Sequence, residues 1–244
     1  MPYTPEIRGI RPVLARIRKA LRAAHDPVRA LNEKRYLKST HMFLGVNIPT
    51  LRKISKDTAA RLGPASRTTV HGLARTLWSS AYHQEKTLAI FLLALYPEYL
   101  DKRAMKMLED MLQESEGWDH VDYISTSLVS IVLDKDPEAL SYLSRWKDSK
   151  NHWMRRASLI SQIPLLRKGR GDRELFFSMA EEMTGDREFF VRKAIGWTIR
   201  EISKHDPEAA RAFLLCIKGK ASGLTMREGA KRLPVIMRKE VIGK

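Results

Sequence analysis

Apolar residues recur at three- and four-residue spacing along most of the chain, and no convincing run of alternating strand residues interrupts them. Five of the helical segments that this pattern predicts align at intervals of 35–37 residues. They are HQEKTLAI from His83, WDHVDYIS from Trp118, WMRRASLI from Trp153, FVRKAIGW from Phe190 and TMREGAKR from Thr225. A fixed interval of this length is typical of stacked helical repeats, each of which buries its apolar face against its neighbours.

Residues that favour a helix N-cap stand shortly before each of the five segments. They are Ser80, Ser115, Asn151, Asp186 and Ser222. The intervening helices have their own start signal, because Asp136-Pro137-Glu138 and Asp206-Pro207-Glu208 each place an aspartate before a proline in the first turn. Two helices per period predict an all-α fold, an α-solenoid of HEAT-like helical repeats. We expect a single domain over residues 1–244, with residues 1–33 matching the repeat least well.

The N-terminal stretch is rich in arginine and poor in acidic residues, as mitochondrial and chloroplast transit peptides are. Its apolar residues nevertheless recur at helical spacing and lead directly into further helix. They are Ile10, Val13, Leu14, Ile17, Leu21 and Ala24. This spacing favours a helix that belongs to the fold over a transit peptide.

The fifth position of the aligned helices is small in four of the five repeats. The residues there are Thr87, Asp122, Ala157, Ala194 and Gly229. Small side chains are expected where the helices of neighbouring repeats approach closely. Asp122 places a carboxylate in this column, and a carboxylate that is even partly buried needs partners or a function.

Positive side chains recur at the third and fourth positions of the C-terminal repeats. Arg155, Arg192 and Arg227 share the third position, and Arg156 and Lys193 share the fourth. Most runs of charge are solvated helix faces. Here the charge is also segregated, since residues 145–173 carry nine Lys or Arg against two Asp, whereas residues 109–122 carry six acidic residues and no basic one. The pattern predicts a concave basic groove with one acidic position.

The formal net charge of +16 indicates a polyanionic partner, because it exceeds what solubility alone requires. A membrane-spanning helix is not expected, since the longest apolar run, Leu88 to Tyr96, is far shorter than the roughly 20 residues needed. Cys216 is the single cysteine, which excludes an internal disulfide and any multi-cysteine metal site. No signal peptide is visible, and we expect a cytoplasmic protein.

The sequence contains no phosphate-binding glycine loop, HExxH motif or recognisable nucleophile triad. We therefore expect neither a metal site nor a cofactor. The seven histidines are scattered, and we interpret His120 as a solvated helix residue, because lone histidines rarely act without a visible partner. Trp78, Trp146 and Trp153 are interpreted as core residues, since tryptophan at helical spacing usually packs.

Trp118 and Trp197 have more informative surroundings. Trp118 lies four residues before Asp122, so the two side chains share one face of a helix. Trp197 follows Gly196, whose missing side chain lets another group approach. Both tryptophans are therefore candidates for a site.

Four segments of the chain resemble the AlkD-like DNA glycosylases, a family of HEAT-like repeat proteins that excise alkylated purines. The segments are KRYLKSTHMFLGVNIPTLRK, WDHVDYIS, NHWMRRAS and REFFVRKAIGWTIRE. The resemblance extends from about Lys34 to Leu233. It places the catalytic aspartate of the family on Asp122 and the two cleft tryptophans on Trp118 and Trp197. It also implies DNA contacts by Arg156 and Arg200 and a cleft aromatic at Tyr36.

The resemblance implies a chain that acts on double-stranded DNA with alkylated purines, needs no metal or cofactor, and holds the duplex by its backbone while the lesion stays stacked. We expect such a protein to work as a monomer, associated with the nucleoid if it is bacterial. A carboxylate such as Asp122 suits this chemistry, because positive charge moves to the deoxyribose as an alkylated purine departs. Tryptophan faces attract cations by roughly 0.5–2 kcal/mol each.

Two other classes remain open at this point. A non-catalytic HEAT-like protein that binds damaged or branched DNA would need the basic columns but not Asp122. A scaffold that binds RNA or protein is the third possibility, because solenoid surfaces serve many partners.

Overall fold

The structure is a computed structural model that describes residues 5–243. These residues form helices and connecting turns, and no β-strand occurs among them. They group into two compact units. The first unit comprises the described residues up to Ala104 together with Glu114–Tyr123, and the second comprises Met105–Gln113 with the described residues from Ile124 onward. Within residues 5–243, no helix is both long enough and apolar enough to cross a membrane.

The first unit is built from five long helices and the start of a sixth. They are α1 (Pro5–Ala23), α2 (Pro27–Leu37), α3 (Ile48–Leu62), α4 (Arg67–Trp78), α5 (His83–Ala94) and, further along the chain, the first residues of α7 (Trp118–Ile124). Short 3₁₀ turns follow α5 at Pro97–Tyr99 and Lys102–Ala104. α5 is buried along almost its whole length and lies in the centre, where Leu88, Ile90 and Leu92 are at most 2 % exposed.

The second unit contains shorter helices. They are α6 (Met105–Gln113), α8 (Ser130–Lys135), α9 (Leu140–Trp146), α10 (His152–Ile160), α11 (Ile163–Leu166), α12 (Arg173–Glu182), α13 (Phe189–Ile202), α14 (Pro207–Cys216), α15 (Gly223–Gly229) and α16 (Val235–Ile242). Its core centres on α13, which packs against α10 and α15. Phe176, Ile195 and Leu214 are fully buried there.

The predicted caps divide into two groups. Asn151 and Ser222 are N-caps, with side chains that accept hydrogen bonds from Trp153 N and Thr225 N. Asp186 stands two residues too early, because its carboxylate accepts from the amide of Glu188, the actual cap of α13. Ser80 likewise accepts from the amide of Tyr82, the residue before α5.

Both Asp-Pro-Glu helix starts are confirmed. Asp206 caps α14 by accepting from Ala209 N, and Asp136 caps a 3₁₀ turn (Pro137–Ala139) that leads into α9. Each cap of this kind is worth about 1 kcal/mol. The helix predicted near the N-terminus is also confirmed, because α1 buries Ile10, Leu14 and Leu21 against the rest of the first unit.

The helix that begins at Trp118 is not regular throughout. A π-helical segment, Ser125–Val129, follows α7 directly in the chain and leads into α8. Single π turns inside α-helices occur frequently at functional sites. This π-helical segment begins three residues after Asp122, so the irregular part of the helix lies next to that carboxylate in the chain.

The small column of the repeats is buried as predicted. Thr87, Ala157 and Ala194 are at most 2 % exposed, whereas Asp122 is half-buried. The close approach expected at Gly196 is also confirmed. A Cβ atom there would lie 2.7 Å from Glu228 Cβ and 2.8 Å from the carbonyl oxygen of Thr225. The missing side chain therefore allows α13 and α15 to approach closely.

Two glycine-to-alanine substitutions are expected to change stability in opposite directions. Gly196→Ala should lower the free energy of unfolding by about 1–3 kcal/mol, because the added methyl group overlaps α15. Gly72→Ala, inside α4, should raise it by up to about 1 kcal/mol, because nothing lies within 4 Å of the new Cβ atom and alanine favours helix. Urea denaturation of the two variants and wild type measures both effects. An equal effect at the two sites would contradict the close contact at Gly196.

The three tryptophans interpreted as core residues are buried. Trp78, Trp146 and Trp153 are at most 9 % exposed. Trp78 donates its indole N–H to Glu114 at 2.8 Å, and Trp146 donates to Glu109 at 2.7 Å. The core interpretation is confirmed for all three.

Candidate functional site

The first unit brings Trp118, Asp122 and Tyr36 into one region. Trp118 opens α7, and Asp122 follows one turn later on the same helix face. Both side chains are half-buried. Tyr36, in the last turn of α2, is 73 % exposed and meets the Trp118 ring edge-on, with ring centroids 6.3 Å apart. The structure thus presents a carboxylate and an indole side by side, with an exposed phenol beside the indole.

Two buried histidines lie where the start of α5 meets α7. His83, the first residue of α5, places Nε2 2.8 Å from Asp119 Oδ2 and stacks on His120 with ring centroids 4.1 Å apart. His120 Nε2 lies 3.0 Å from Thr87 Oγ1. His83, Asp119 and His120 are the one group of metal-ligand type in residues 5–243 whose ligand atoms all lie close together.

The interpretation of His120 as a solvated residue is wrong. Its side chain is 1 % exposed and meets the edge of Trp78 at 5.4 Å. Burial is the main reason that the pKa of His120 is lowered to about 3, so the imidazole is neutral at pH 7. In the repeat alignment His120 occupies the same position as Glu85, which is also buried. The sequence alone did not identify this position as part of the core.

Most carboxylates of the acidic stretch 109–122 have structural partners. Glu109 and Glu114 accept from the two buried indoles, Asp110 pairs with Lys106, and Asp119 pairs with His83. Glu116 accepts hydrogen bonds from Ser39 Oγ at 2.7 Å and from both donors of Thr40 at 2.6 and 2.8 Å. Most acidic residues of this stretch therefore connect helices or turns to one another, and their number is not explained by a site at Asp122 alone.

We expect Glu116 to contribute to stability only above the acid range. Burial would raise the pKa of its carboxyl, but hydrogen bonds from Thr40 and Ser39 outweigh burial and hold the pKa at about 2. Because this folded pKa lies below the usual value of 4.5, the contribution is present above pH 4.5 and is lost as pH falls toward 2. Its size is on the order of 1 kcal/mol, since solvent screens a carboxylate this exposed. Glu116→Gln should therefore melt below wild type at pH 7, the gap should have narrowed by roughly half at pH 3, and a constant gap would contradict this account.

In the second unit, the Trp197 side chain lies between two charged side chains, those of Glu201 and Arg156. Its indole N–H donates to Glu201 at 3.3 Å, and the guanidinium of Arg156 lies over its ring at 5.7 Å. Arg156 also donates to the carbonyl oxygen of Phe190 at 2.7 Å. Arg156 is only 3 % exposed, so in this conformation its guanidinium offers little surface to a phosphate.

Glu201 is a residue of the candidate site that sequence reasoning missed. It is 2 % exposed and accepts from Arg167 at 2.7 Å and Lys204 at 2.5 Å as well as from Trp197. Burial would raise the pKa of Glu201, but the bonds from Arg167 and Lys204 lower it further than burial raises it. A sequence signal was present, because Glu201 follows Trp197 by four residues, as Asp122 follows Trp118.

Arg200 lies beside this network. It is half-buried and pairs with Glu228 of α15. Burial lowers the pKa of its guanidinium from the ordinary value, although a group of this basicity stays charged. Its predicted contact with DNA would compete with the bond to Glu228.

The basic columns do not form a uniform solvated stack. Arg155 is bound to Asp186 at 2.7 Å and to the carbonyl oxygen of Ser149 at 2.8 Å, which gives it a structural role. Arg192 is half-buried, whereas Lys193 and Arg227 are exposed. Of the five column residues, Lys193 and Arg227 are thus the most accessible to a polyanion.

The fold and these residues place the chain in a class of all-α helical-repeat proteins, as predicted. A family model described as DNA alkylation repair enzyme matches residues 17–233. The chain belongs to this family, and the resemblance read from the four sequence segments is confirmed.

Solved structures with related folds come from two bacteria. A predicted DNA alkylation repair enzyme from Enterococcus faecalis superposes with a TM-score of 0.78 at 21% identity, covering 86% of this chain and 97% of that chain. AlkD2 from Streptococcus mutans gives a TM-score of 0.60 at 18% identity, covering 78% and 91%. At these identities the likeness concerns the fold. A comparison with curated proteins finds no significant match.

Proposed function

We propose that this chain is a DNA glycosylase that excises positively charged N3- or N7-alkylated purines from duplex DNA, the first step of base excision repair. The observation that carries the proposal is the half-buried carboxylate of Asp122 beside the indole of Trp118, in a member of the DNA alkylation repair family. The proposed location is the cytoplasm, in association with the nucleoid if the protein is bacterial, and the proposed chemistry requires no second subunit, metal or cofactor.

The proposed reaction breaks the bond between the purine and C1′ of the deoxyribose. The purine takes the electron pair of that bond, which neutralises its positive charge, so it needs little help from an acid. The sugar is left with oxocarbenium-like charge, which the Asp122 carboxylate stabilises. Water then adds to C1′ and loses a proton, and Asp122 is placed in the proposal to orient that water.

The two tryptophans are proposed to contribute unequally. Both present π faces that attract a cationic lesion by roughly 0.5–2 kcal/mol. The Trp197 ring already has the guanidinium of Arg156 at 5.7 Å, whereas Trp118 has the exposed edge contact of Tyr36. Trp118 is therefore the stronger candidate for contact with the lesion.

DNA binding is proposed to rest mainly on exposed basic residues. Lys193 and Arg227 are the accessible members of the columns, and the net charge of +16 supplies a long-range attraction to phosphates. A non-catalytic protein that binds damaged or branched DNA would use the same charge. The two functions differ in whether the carboxylate of Asp122 is needed.

The test is release of methylated purines from alkylated duplex DNA by the wild-type chain. We expect 7-methylguanine and 3-methyladenine to appear as free bases, detected by chromatography under single-turnover conditions. Affinity for undamaged duplex should fall steeply with salt, with a log–log slope of about −0.9 per phosphate neutralised. Salt-dependent binding without base release would leave the non-catalytic function, and an affinity that is insensitive to salt would overturn phosphate-dominated binding.

A further inference from the structure

Three ligand-type side chains meet inside the first unit, where the start of α5 lies against α7. His83 and His120 are 6 % and 1 % exposed, and the Asp119 side chain is 17 % exposed. One ligand atom from each of the three lies within 4.8 Å of the other two. The proposed glycosylase chemistry makes no use of this cluster.

The cluster contains buried polar atoms whose bonding capacity is unused. His83 Nδ1, Asp119 Oδ1 and His41 Nδ1 are buried and have no hydrogen-bond partner within residues 5–243. Leaving a buried donor or acceptor unmatched is costly, so such atoms call for a physical explanation. Two imidazoles and a carboxylate provide lone pairs that a cation can satisfy.

We propose that His83, Asp119 and His120 bind one divalent transition-metal ion of the zinc type. Two imidazole nitrogens and one carboxylate oxygen are a ligand set that Zn²⁺ takes in proteins. His83 Nε2 and Asp119 Oδ2 already face each other at 2.8 Å, and an ion bound by both atoms would take the place of the proton between them. His41, with ring centroids 6.1 Å from His83 and 6.4 Å from His120, is the nearest source of a fourth ligand.

Binding requires a small rearrangement of the rings. Zinc–ligand distances of about 2.0–2.2 Å place neighbouring ligand atoms roughly 3.3 Å apart. In the structure the three ligand atoms lie within 4.8 Å of one another, so they must move closer together. The rings of His83 and His120 are within 18° of parallel, so one of them must turn for both lone pairs to meet one ion. The segment that carries His41 and Phe43 is held to the start of α5 by the bridge at Met42, by the hydrogen bond from Leu44 N to Gln84 Oε1 at 2.7 Å and by the stacking of Phe43 on His83. The rearrangement is therefore confined to the imidazole side chains.

The surrounding charges favour a cation overall. Lys86 is the one buried ammonium nearby, and it is held at 2.5 Å by the carbonyl oxygen of Trp78. Against it stand the carboxylates of Asp119, Glu114 and Glu116. An ion here would join α5 to α7 directly behind Trp118, so its expected role is to stabilise that junction.

Zinc titration of the full-length, tag-free chain after chelator treatment tests the proposal by calorimetry and melting. We expect one ion per chain with micromolar or tighter affinity, and a melting temperature raised by roughly 5–10 °C at a hundredfold excess over the dissociation constant. Co²⁺ should give the visible absorption of a tetrahedral nitrogen–oxygen site. Absence of one-to-one binding by the wild-type chain overturns the proposal, whatever the variants do.

Variants assign the ligands. Asp119→Asn keeps the side-chain shape and removes the anionic ligand, and His83→Gln removes an imidazole; each should weaken binding by about 100-fold or more. His205→Ala, at an exposed histidine in the second unit, is the control and should bind zinc as wild type does. Unchanged affinity in a folded Asp119→Asn or His83→Gln protein would place the ion elsewhere and overturn the assignment. The result does not depend on glycosylase activity.

Discussion

Replacing Asp122 with asparagine is expected to slow release of 7-methylguanine or 3-methyladenine by about 10²–10³-fold. One preorganised electrostatic contact of this kind is worth roughly 2.7–4 kcal/mol in a transition state. Asparagine keeps the shape of the side chain on α7 but removes the negative charge that is proposed to stabilise the developing sugar cation. Affinity for intact duplex should hold or rise, because a carboxylate near phosphates is repulsive. Single-turnover base release beside a binding titration measures both effects.

Asp110→Asn is the matched control, since Asp110 on α6 is half-buried, as Asp122 is, and pairs with Lys106. It should release methylated bases at the wild-type rate. Wild-type excision by a folded Asp122→Asn protein would show that the Asp122 carboxylate is structural, and the non-catalytic DNA-binding function would then be the better explanation of the basic surface. A melting curve for each variant separates lost chemistry from lost folding.

The second large effect is expected from Glu201→Gln, and it is an effect on stability. The buried carboxylate accepts bonds from Arg167, Lys204 and Trp197, and a neutral amide cannot replace the charge-assisted ones. Each hydrogen bond to a charged group contributes roughly 1.5–3 kcal/mol, although Arg167 and Lys204 are partly exposed and regain water. We therefore expect a loss of about 2–4 kcal/mol and a melting temperature lower by about 5–10 °C.

Glu174→Gln provides the comparison, because Glu174 is exposed and meets only Arg173 across 3.4 Å among the ion pairs of the described residues. Its melting temperature should stay within about 1 °C of wild type. Base release by Glu201→Gln, measured well below its melting temperature, should fall only a few-fold through the loosened Trp197. A melting temperature equal to wild type would show that Glu201 does not hold this part of α13.

The helical-repeat class was predictable from the sequence because it rests on local signals. Apolar spacing within single segments identified the helices, and the interval between segments identified the repeat. Asn151, Asp136 and Asp206 cap helices through bonds to amides two or three residues away, so their neighbours in the chain suffice to predict them. Gly196 was interpretable for the same reason, since its position in a helix already implied a close approach.

The candidate site was only partly predictable. The spacing of Trp118 and Asp122 follows from helix geometry and appears unchanged in the structure. The same spacing links Trp197 to Glu201, but its meaning depends on Arg167, which lies more than thirty residues away in the chain. A pattern within one helix can show which side chains share a face, and it cannot show what packs on that face.

By itself the sequence determined the all-α repeat architecture, several of its helix starts and the placement of Trp118 and Asp122 on one helix face. The tertiary structure decided which charged side chains are used internally and which remain accessible. It buried His120 between helices, placed Arg156 over Trp197 and bound Arg155 to Asp186, while Lys193 stayed exposed. The physical reason is that burial and ion pairing depend on residues 30 or more positions apart in the chain, whose meeting is set by helix packing and leaves no local periodicity.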